Sequence, residues 1–310
     1  MWKLFLSDCF EWMKDCESNT FTAIVTDPPY SLEEFSRENL EKMKRGSGGI
    51  WRIPPKIGGS ERKPLPRFTV FSCEHRAVMY QFFREWAELC LKILVPGGHI
   101  IVASTPVFFP TVATALTDAG FEPRGAIIRI VQTLRGGFRP KNAEEEFWDL
   151  CTMPRGHWEP WILCRKPLEE GLTLAENLRK WKAGALKREP DGRPFSDVIP
   201  SERTPDEERL IAPHPTLKPQ SFMRRIVRAV LPLSEGKILD PFCGAGSTLA
   251  AAEALGFESI GIEINPDYFE MAKVAIPKLA QLKVNPWRFE KEADRIGKMQ
   301  AFANFLFAEE

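Results

Sequence analysis

Between residues 237 and 263 the chain carries the signal that most restricts its fold. Lys237-Ile238-Leu239-Asp240 is a short apolar run closed by an acid, and Pro241-Phe242-Cys243-Gly244-Ala245-Gly246 is a turn with two glycines. Ser247-Thr248 then opens an alanine-rich stretch, and Ser259-Ile260-Gly261-Ile262-Glu263 is a second apolar run closed by an acid, 23 residues after Asp240. Strand, Gly-rich turn, helix and strand make a βαβ unit, whose turn lies at the carboxyl end of a parallel sheet where ligands bind. Glycines at 244 and 246 remove side chains that would block a ligand, and Ser247 and Thr248 begin a helix whose first backbone N–H groups are free. The Phe-x-Gly-x-Gly spacing is not the Gly-x-Gly-x-x-Gly of dinucleotide proteins, so a pyrophosphate cradle is not matched. A carboxylate at Glu263 is placed to accept both hydroxyls of a ribose; the plainer alternative is a tight turn and a surface acid.

The rest of the chain repeats the same alternation. The spacing predicts strands over 4–6, 21–26, 100–103, 126–130 and 158–164, with helices around Phe10 and Met13, over 110–119, 174–186, 221–231 and 247–255. A helix from Arg76 has an apolar stripe of Val78, Phe82, Phe83, Trp86, Leu89, Cys90, Ile93 and Leu94, closed by a Pro96-Gly97-Gly98 turn. Strands alternating with helices imply a mostly parallel sheet covered on both faces. Residues 31–67 break the rhythm: Gly46-Ser47-Gly48-Gly49 and Gly58-Gly59 punctuate a stretch without periodicity, expected to be a loop.

The chain has 310 residues, zero formal net charge, 44% hydrophobic and 27% charged residues, the balance of a globular protein able to bury a full core. No apolar run reaches the ~20 residues of a membrane span. The opening run is interrupted at Asp8 and is too short for a signal peptide, so a cytoplasmic location without membrane association is expected. Seven scattered cysteines contain no Cys-x-x-Cys pair; Cys73 with His75, and Cys151, His157 and Cys164, are weak metal sets, and reduced, mostly buried thiols are the better reading. Zero net charge argues against a nonspecific nucleic-acid coat but not against a local basic face. Between Lys42 and Arg67 there are eight basic residues (Lys42, Lys44, Arg45, Arg52, Lys56, Arg62, Lys63, Arg67) against one acid, Glu61.

A second constellation stands at the other end of the chain, Thr26-Asp27-Pro28-Pro29-Tyr30, directly after the buried run over 21–26. An aromatic amine is a poor nucleophile because its lone pair is delocalised into the ring. A carboxylate and a carbonyl accepting its two N–H bonds would let the nitrogen pyramidalise, and an aromatic face would hold the base. Asp27 supplies the carboxylate, Pro28 a carbonyl with no competing donor, Tyr30 the face, and the consecutive prolines preorganise all three. The plainer alternative is that the segment is only a rigid turn after a strand.

Together, Asp-Pro-Pro-Tyr followed some 210 residues later by Asp-Pro-Phe-x-Gly-x-Gly resembles the amino-methylating (N6-adenine/N4-cytosine) DNA methyltransferases, in the permuted order with the catalytic half first. The resemblance implies an α/β Rossmann-like fold using S-adenosyl-L-methionine, with double-stranded DNA as substrate. It implies that Asp240 meets the methionine amino group, that Phe242 packs on the cofactor beside Cys243, Gly244, Gly246, Ser247 and Thr248, and that Glu263 holds the ribose and Ile264 the adenine. Asp8 with the Cys9 backbone falls where the family reads the adenine edge, although an Asp after a strand is also an ordinary helix cap. His214-Pro215-Thr216-Leu217-Lys218-Pro219 matches the stretch that walls the methionine end, through Thr216 and Lys218; the alternative is a Pro-bounded helix start capped by Thr216. Family members with Asp at the first motif position commonly act on adenine N6 and those with Ser on cytosine N4, so adenine N6 is favoured, with cytosine N4 as the rival. A noncatalytic DNA-binding protein on the same fold is the competing class.

The expected organisation is a catalytic half over 1–30 and 68–167, a basic insert over 31–67, a target-recognition segment over 168–212, a cofactor half over 213–276 and a helical extension over 277–310. Arg45, Arg52, Lys56, Arg62 and Lys63 of the insert are the expected DNA contacts. The aromatic face of the extension, beginning at Trp287, either packs on the chain's own core or makes a homodimer contact. A cognate restriction nuclease is a further partner the resemblance raises.

Overall fold

The structure is a computed structural model, described for residues 1–29, 56–57, 60–61, 73–131, 137–140 and 142–287. Its centre is an eight-stranded sheet. In chain order the strands are β1 (Trp2–Leu6), β2 (Phe21–Thr26), β5 (Leu94–Ala103), β6 (Glu122–Ile130), β7 (Trp158–Arg165), β8 (Val198–Pro200), β9 (Lys237–Asp240) and β10 (Glu258–Glu263), arranged in space as β1-β10-β9-β2-β5-β7-β6-β8. The separate strands β3 (Lys56–Ile57) and β4 (Ser60–Glu61) pair antiparallel with each other. Within the large sheet β7 runs against both its neighbours, and every other pairing is parallel.

Side-chain alternation assigns the two faces. Ile24, Ile100, Val102, Ile162, Cys164 and Leu239 point into one core, packed under α1 (Cys9–Lys14), α2 (Cys73–Ile93) and α3 (Phe109–Asp118). Ala23, Val25, Ile101, Trp161, Leu163 and Ile238 point the other way. That second core is covered by α6 (Gln220–Val230) and α7 (Ser247–Ala254), with α8 (Pro266–Gln281) packed behind α7. α4 (Leu174–Trp181) and α5 (Asp206–Ile211) complete the helices of the described residues.

Most expected elements are present, and the differences have physical causes. Pro96-Gly97-Gly98 does not end a helix before a separate strand: β5 runs through it. Phe21 pairs with Leu94 and Ala23 already with His99, so the extra residues are absorbed as a bulge. Gly97 takes a φ of +80° there, and at Gly98 a Cβ would stand 3.0 Å from the Thr22 carbonyl oxygen. Val78, expected in the stripe of α2, is 57% exposed, because it falls off the face defined by Met79, Phe83, Trp86 and Cys90. The helix expected over 174–186 stops at Trp181, where Lys182 turns left-handed; its start is secured by a capping box between Thr173 and Glu176. Periodicity missed β8, α5 and α8, and it missed the β3–β4 ribbon, which the Gly58-Gly59 pair between two short runs does signal. β8 comes from the 168–212 segment and joins the sheet edge beside β6.

No helix among the described residues is long and apolar enough to cross a membrane. Four of the seven free cysteines (Cys9, Cys90, Cys164, Cys243) are buried. Trp287, the first aromatic of the expected C-terminal face, packs back on its own chain: its indole N–H donates to Glu189 at 2.6 Å, and the Arg228 guanidinium lies 5.9 Å from its ring centre. The remainder of that face lies outside the described residues.

Candidate active site

Two central strands diverge at their carboxyl ends. β9 leads through α7 to β10 on one side of it, whereas β2 connects onward to α2 and β5 on the other. A crevice opens where neighbouring parallel strands send their chains in opposite directions. β2 delivers Asp27 to its rim and β9 delivers Asp240, and the Thr26 hydroxyl donates to Asp240 Oδ1 at 2.7 Å, tying the two strand ends together. Thr26 was not anticipated as a site residue; its β-branched side chain had no sequence signal beyond belonging to a buried strand.

Asp240 is buried and also accepts the Phe242 backbone N–H at 3.2 Å. Burial pushes its carboxyl up to about 7, opposed by hydrogen bonding to Thr248, Thr26 and the Phe242 amide, with the Asp27 charge adding to the rise. The turn that follows is fixed from both sides. Gly246 (φ +84°) precedes α7, and a Cβ there would stand 2.4 Å from Ile276 Cγ1. Gly244 (φ +50°) lies under the His214 ring, where a Cβ would come 3.1 Å from Nε2. Phe242 packs into the α1–α2 core, its ring centre 5.6 Å from that of Trp86.

Glu263 does more than stand at a strand end. One oxygen accepts the Gly244 N–H and the other the Asn265 N–H, both at 2.8 Å, so the carboxylate braces the turn from β10. Burial raises its pKa, against these backbone hydrogen bonds. Each carboxylate oxygen has a further lone pair for an incoming hydroxyl. Glu263→Ala is therefore expected to lower cofactor affinity about 10- to 100-fold, the worth of ~1.5–3 kcal/mol for hydrogen bonds to a charged group. Glu263→Gln should do nearly as much harm, because an amide must present its NH2 to one of two backbone donors. Calorimetry showing wild-type affinity in both variants would remove Glu263 from the pocket.

The Asp8 turn adjoins this corner, since the Ser7 N–H donates to the Glu263 carbonyl at 3.0 Å. Asp8 itself caps α1, Oδ1 accepting the Phe10 and Glu11 N–H groups at 2.8 and 3.3 Å. Cys9 is buried and its thiol pushed up to about 12, mainly by desolvation. Ile264 is 66% exposed on the far side of Glu263.

The 214–219 stretch is folded onto the Gly-rich turn. The Lys218 N–H donates to Ser247 Oγ at 3.3 Å, the Gln220 side-chain amide to the Ser247 carbonyl at 3.0 Å, and the His214 ring meets Tyr268 edge-on at 4.3 Å. Burial and the Lys218 charge lower the His214 pKa to about 4, so the ring is neutral at physiological pH. Thr216 is exposed and bonds back to His214; the residue at the start of α6 is Pro219, with no side-chain cap, so the capping reading of Thr216 is not what the chain does.

The Lys218 ammonium extends from the stretch expected to wall the methionine end. It crosses to the catalytic half and pairs with Asp27 Oδ2, with Glu159 Oε1 3.4 Å away and the Trp161 ring centre at 5.9 Å. Glu159 in turn accepts from Arg129 Nη1 at 2.9 Å and Trp161 Nε1 at 3.3 Å. Sequence reasoning missed Glu159 and Arg129: an acid opening β7 and a base near the end of β6 read as solvated strand residues until the antiparallel pairing sets them opposite each other.

Tyr30, Arg45, Arg52, Arg62 and Lys63 lie outside the described residues, and Lys56 is described only as part of β3. Asp27, Asp240 and Lys218 meet at the carboxyl ends of β2 and β9, and Glu263 braces the Gly-rich turn that follows β9. The Glu263 and Asp240 carboxylates and the exposed Ile264 fit the charge and mixed polarity of S-adenosyl-L-methionine.

Comparison with known proteins agrees with this architecture. A family model described as DNA methylase matches residues 21–274. The type II methyltransferase M2.DpnII of Streptococcus pneumoniae is 25% identical over 275 residues, covering 86% of each chain. M.HindIII of Haemophilus influenzae is 25% identical over 293 residues, 87% of this chain and 93% of its own. Among solved structures, the M1.HpyAVI–SAM complex superposes with a TM-score of 0.51 at 21% identity, over 88% of this chain and 98% of that one. The cytosine-N4-specific PvuII DNA methyltransferase gives 0.55 at 13% identity, over 95% and 92%. With the family model spanning both the Asp27 strand and the Gly-rich turn, the chain belongs to the N6/N4 amino-methylating DNA methyltransferases.

Proposed function

We propose that the protein transfers a methyl group from S-adenosyl-L-methionine to the N6 amino group of adenine at a specific site in double-stranded DNA, with the base flipped out of the helix. The observation that carries this is the position of Asp27: a carboxylate on a Pro-Pro turn at the end of β2, one strand from the Gly-rich turn after β9. The cofactor, when bound, supplies an electrophilic methyl group. Asp27 and the Pro28 carbonyl accept the two N–H bonds of the target amine, drawing its lone pair out of conjugation, and Tyr30 stacks on the base. As the new N–C bond forms and the C–S bond breaks, the surplus proton on nitrogen leaves along the hydrogen bond to Asp27. Duplex extrusion costs a few kcal/mol, offset by stacking and these bonds.

An Asp at position 27, where the cytosine-N4 branch commonly has Ser, favours adenine. Expression in a methylation-free host followed by sequencing of genomic DNA for modified bases tests this directly. N6-methyladenine in one sequence context is expected; N4-methylcytosine would move the protein to the rival branch. The names of the type II relatives favour a restriction–modification role with a cognate nuclease, in which case the modified DNA resists cleavage by that nuclease.

If Asp240 faces the methionine ammonium, affinity depends on its ionisation. Its folded pKa, about 7, lies above the ordinary 3.8, so the free protein holds a proton there that the unfolded chain has lost. That contribution to stability is complete below about pH 4 and is lost as pH rises through 7. A cationic ligand pairs with the ionised form, so cofactor affinity should rise between pH 6 and 8. Calorimetry at both values checks this, and Asp240→Asn should abolish the dependence.

The basic insert supports phosphate contact. Replacing Arg45, Arg52, Lys56, Arg62 and Lys63 with Ala should reduce the slope of log K against log salt by about 0.9 for each phosphate that these side chains neutralise. An unchanged slope would remove the insert from the DNA interface.

A further inference from the structure

We propose that Lys218 is a positioning residue for Asp27, held by Glu159 and Arg129, so that four alternating charges orient the carboxylate that receives the target amine. The inference rests on the reading of Asp27 given above and adds the residues that act through it.

The lysine has its two ends in different halves of the molecule. Its backbone is tied to Ser247 at the start of α7, and its ammonium pairs with Asp27 at the end of β2. With 8% side-chain exposure it is withdrawn from water, and a buried ammonium is tolerated only among anions and acceptors. Asp27 and Glu159 supply the anions, and the Thr216 carbonyl accepts at 3.5 Å. Glu159 needs cations of its own. Burial alone would raise its pKa, yet Lys218 and Arg129 hold it well below the usual carboxylate range. Arg129 is held in turn by Ser201 Oγ at 3.0 Å and the Glu202 carbonyl at 2.6 Å, directly after β8. The chain Arg129–Glu159–Lys218–Asp27 is thus neutral in sum and anchored at both ends.

Its effect follows from what surrounds Asp27. Among the described residues, the charged groups on the elements around it include Lys218 ahead of α6, Asp240 on β9, Glu159 on β7 and Arg129 on β6, with the neutral His214 beside Lys218. Asp240 and Asp27 repel. Removing Lys218 takes an adjacent counter-charge away from Asp27, which would then take up a proton more readily. A protonated Asp27 presents a donor where the amine needs an acceptor. Glu159 gives the ammonium a second anion at 3.4 Å, beside its closer contact with Asp27 Oδ2.

The test compares wild type, Lys218→Met, Lys218→Arg, Glu159→Gln and Asp27→Ala. Methyl transfer from tritiated S-adenosylmethionine to unmethylated genomic DNA is followed from pH 5.5 to 9, and cofactor affinity is measured by calorimetry. Lys218→Met should bind cofactor within about threefold of wild type, which also shows that it is folded. Its acid limb in kcat should move upward by about one to three pH units, the shift expected on losing an adjacent opposite charge. Lys218→Arg should restore the wild-type limb, and Glu159→Gln should lower kcat without an upward shift. A Lys218→Met loss equal at every pH, or a loss confined to cofactor affinity, would overturn the proposal while an inactive Asp27→Ala leaves the amine-acceptor reading standing. An active Asp27→Ala enzyme would remove that reading, and the proposal with it.

Discussion

Asp27→Ala is expected to abolish methyl transfer, by at least about 10³-fold, the range for removing a preorganised group that contacts the reacting atoms. Cofactor affinity should stay within a few-fold, because Asp27 is proposed to touch only the target base. The structure sharpens this expectation, since losing Asp27 also takes the nearer anion away from the buried Lys218 ammonium. A modest fall in melting temperature should therefore accompany the loss of activity. Single-turnover assays with saturating cofactor separate the two effects, and methyl transfer at a wild-type rate would end the catalytic assignment.

Gly246→Val is the second large effect, and it acts on the fold. A β-branched residue at φ +84° meets a strained backbone, costing ~1–2 kcal/mol. Its Cβ would also stand 2.4 Å from Ile276 on α8, so α8 or the turn must shift, for a further ~1–3 kcal/mol. A loss of about 3 kcal/mol corresponds to a melting point lower by roughly 5 °C for a chain of this size. Cofactor affinity should collapse as well, because the turn carries the pocket. Gly244→Val should behave differently: its Cβ would press on the edge of the His214 ring, 3.1 Å away. The half-buried His214 ring has more room to give than the fully buried Ile276, so binding should suffer more than stability, although the φ of +50° adds strain of its own. Thermal melts and calorimetry on the two variants distinguish the cases, and equal melting points would contradict the α8 clash.

Much of this architecture is readable in one dimension because it rests on local rules. Apolar runs closed by Asp27, Asp240 and Glu263 mark strand ends, and backbone sterics put glycine at 244 and 246. Alternation of strands and helices leaves few topologies besides a mostly parallel sheet. The exceptions were elements whose stability is not local. β8 is three residues long and exists because β6 offers it a partner. β5 carries a Pro-Gly-Gly through its length because β2 accommodates the bulge.

The site divides along the same line. The sequence by itself determined which chemical groups are present: the carboxylate on a proline-stiffened turn, the glycine turn and the acid beneath it. Only the tertiary structure decided which charges meet. Lys218 stands 191 positions from Asp27, and Arg129 stands 30 from Glu159, yet the four groups form one contiguous ion chain. Periodicity reports which face of an element is apolar, but the pairing of buried charges depends on how strands β2, β7 and β6 and the loop before α6 are brought together. Long side chains also reach across elements, so a lysine expected to serve the cofactor half delivers its charge to the catalytic one.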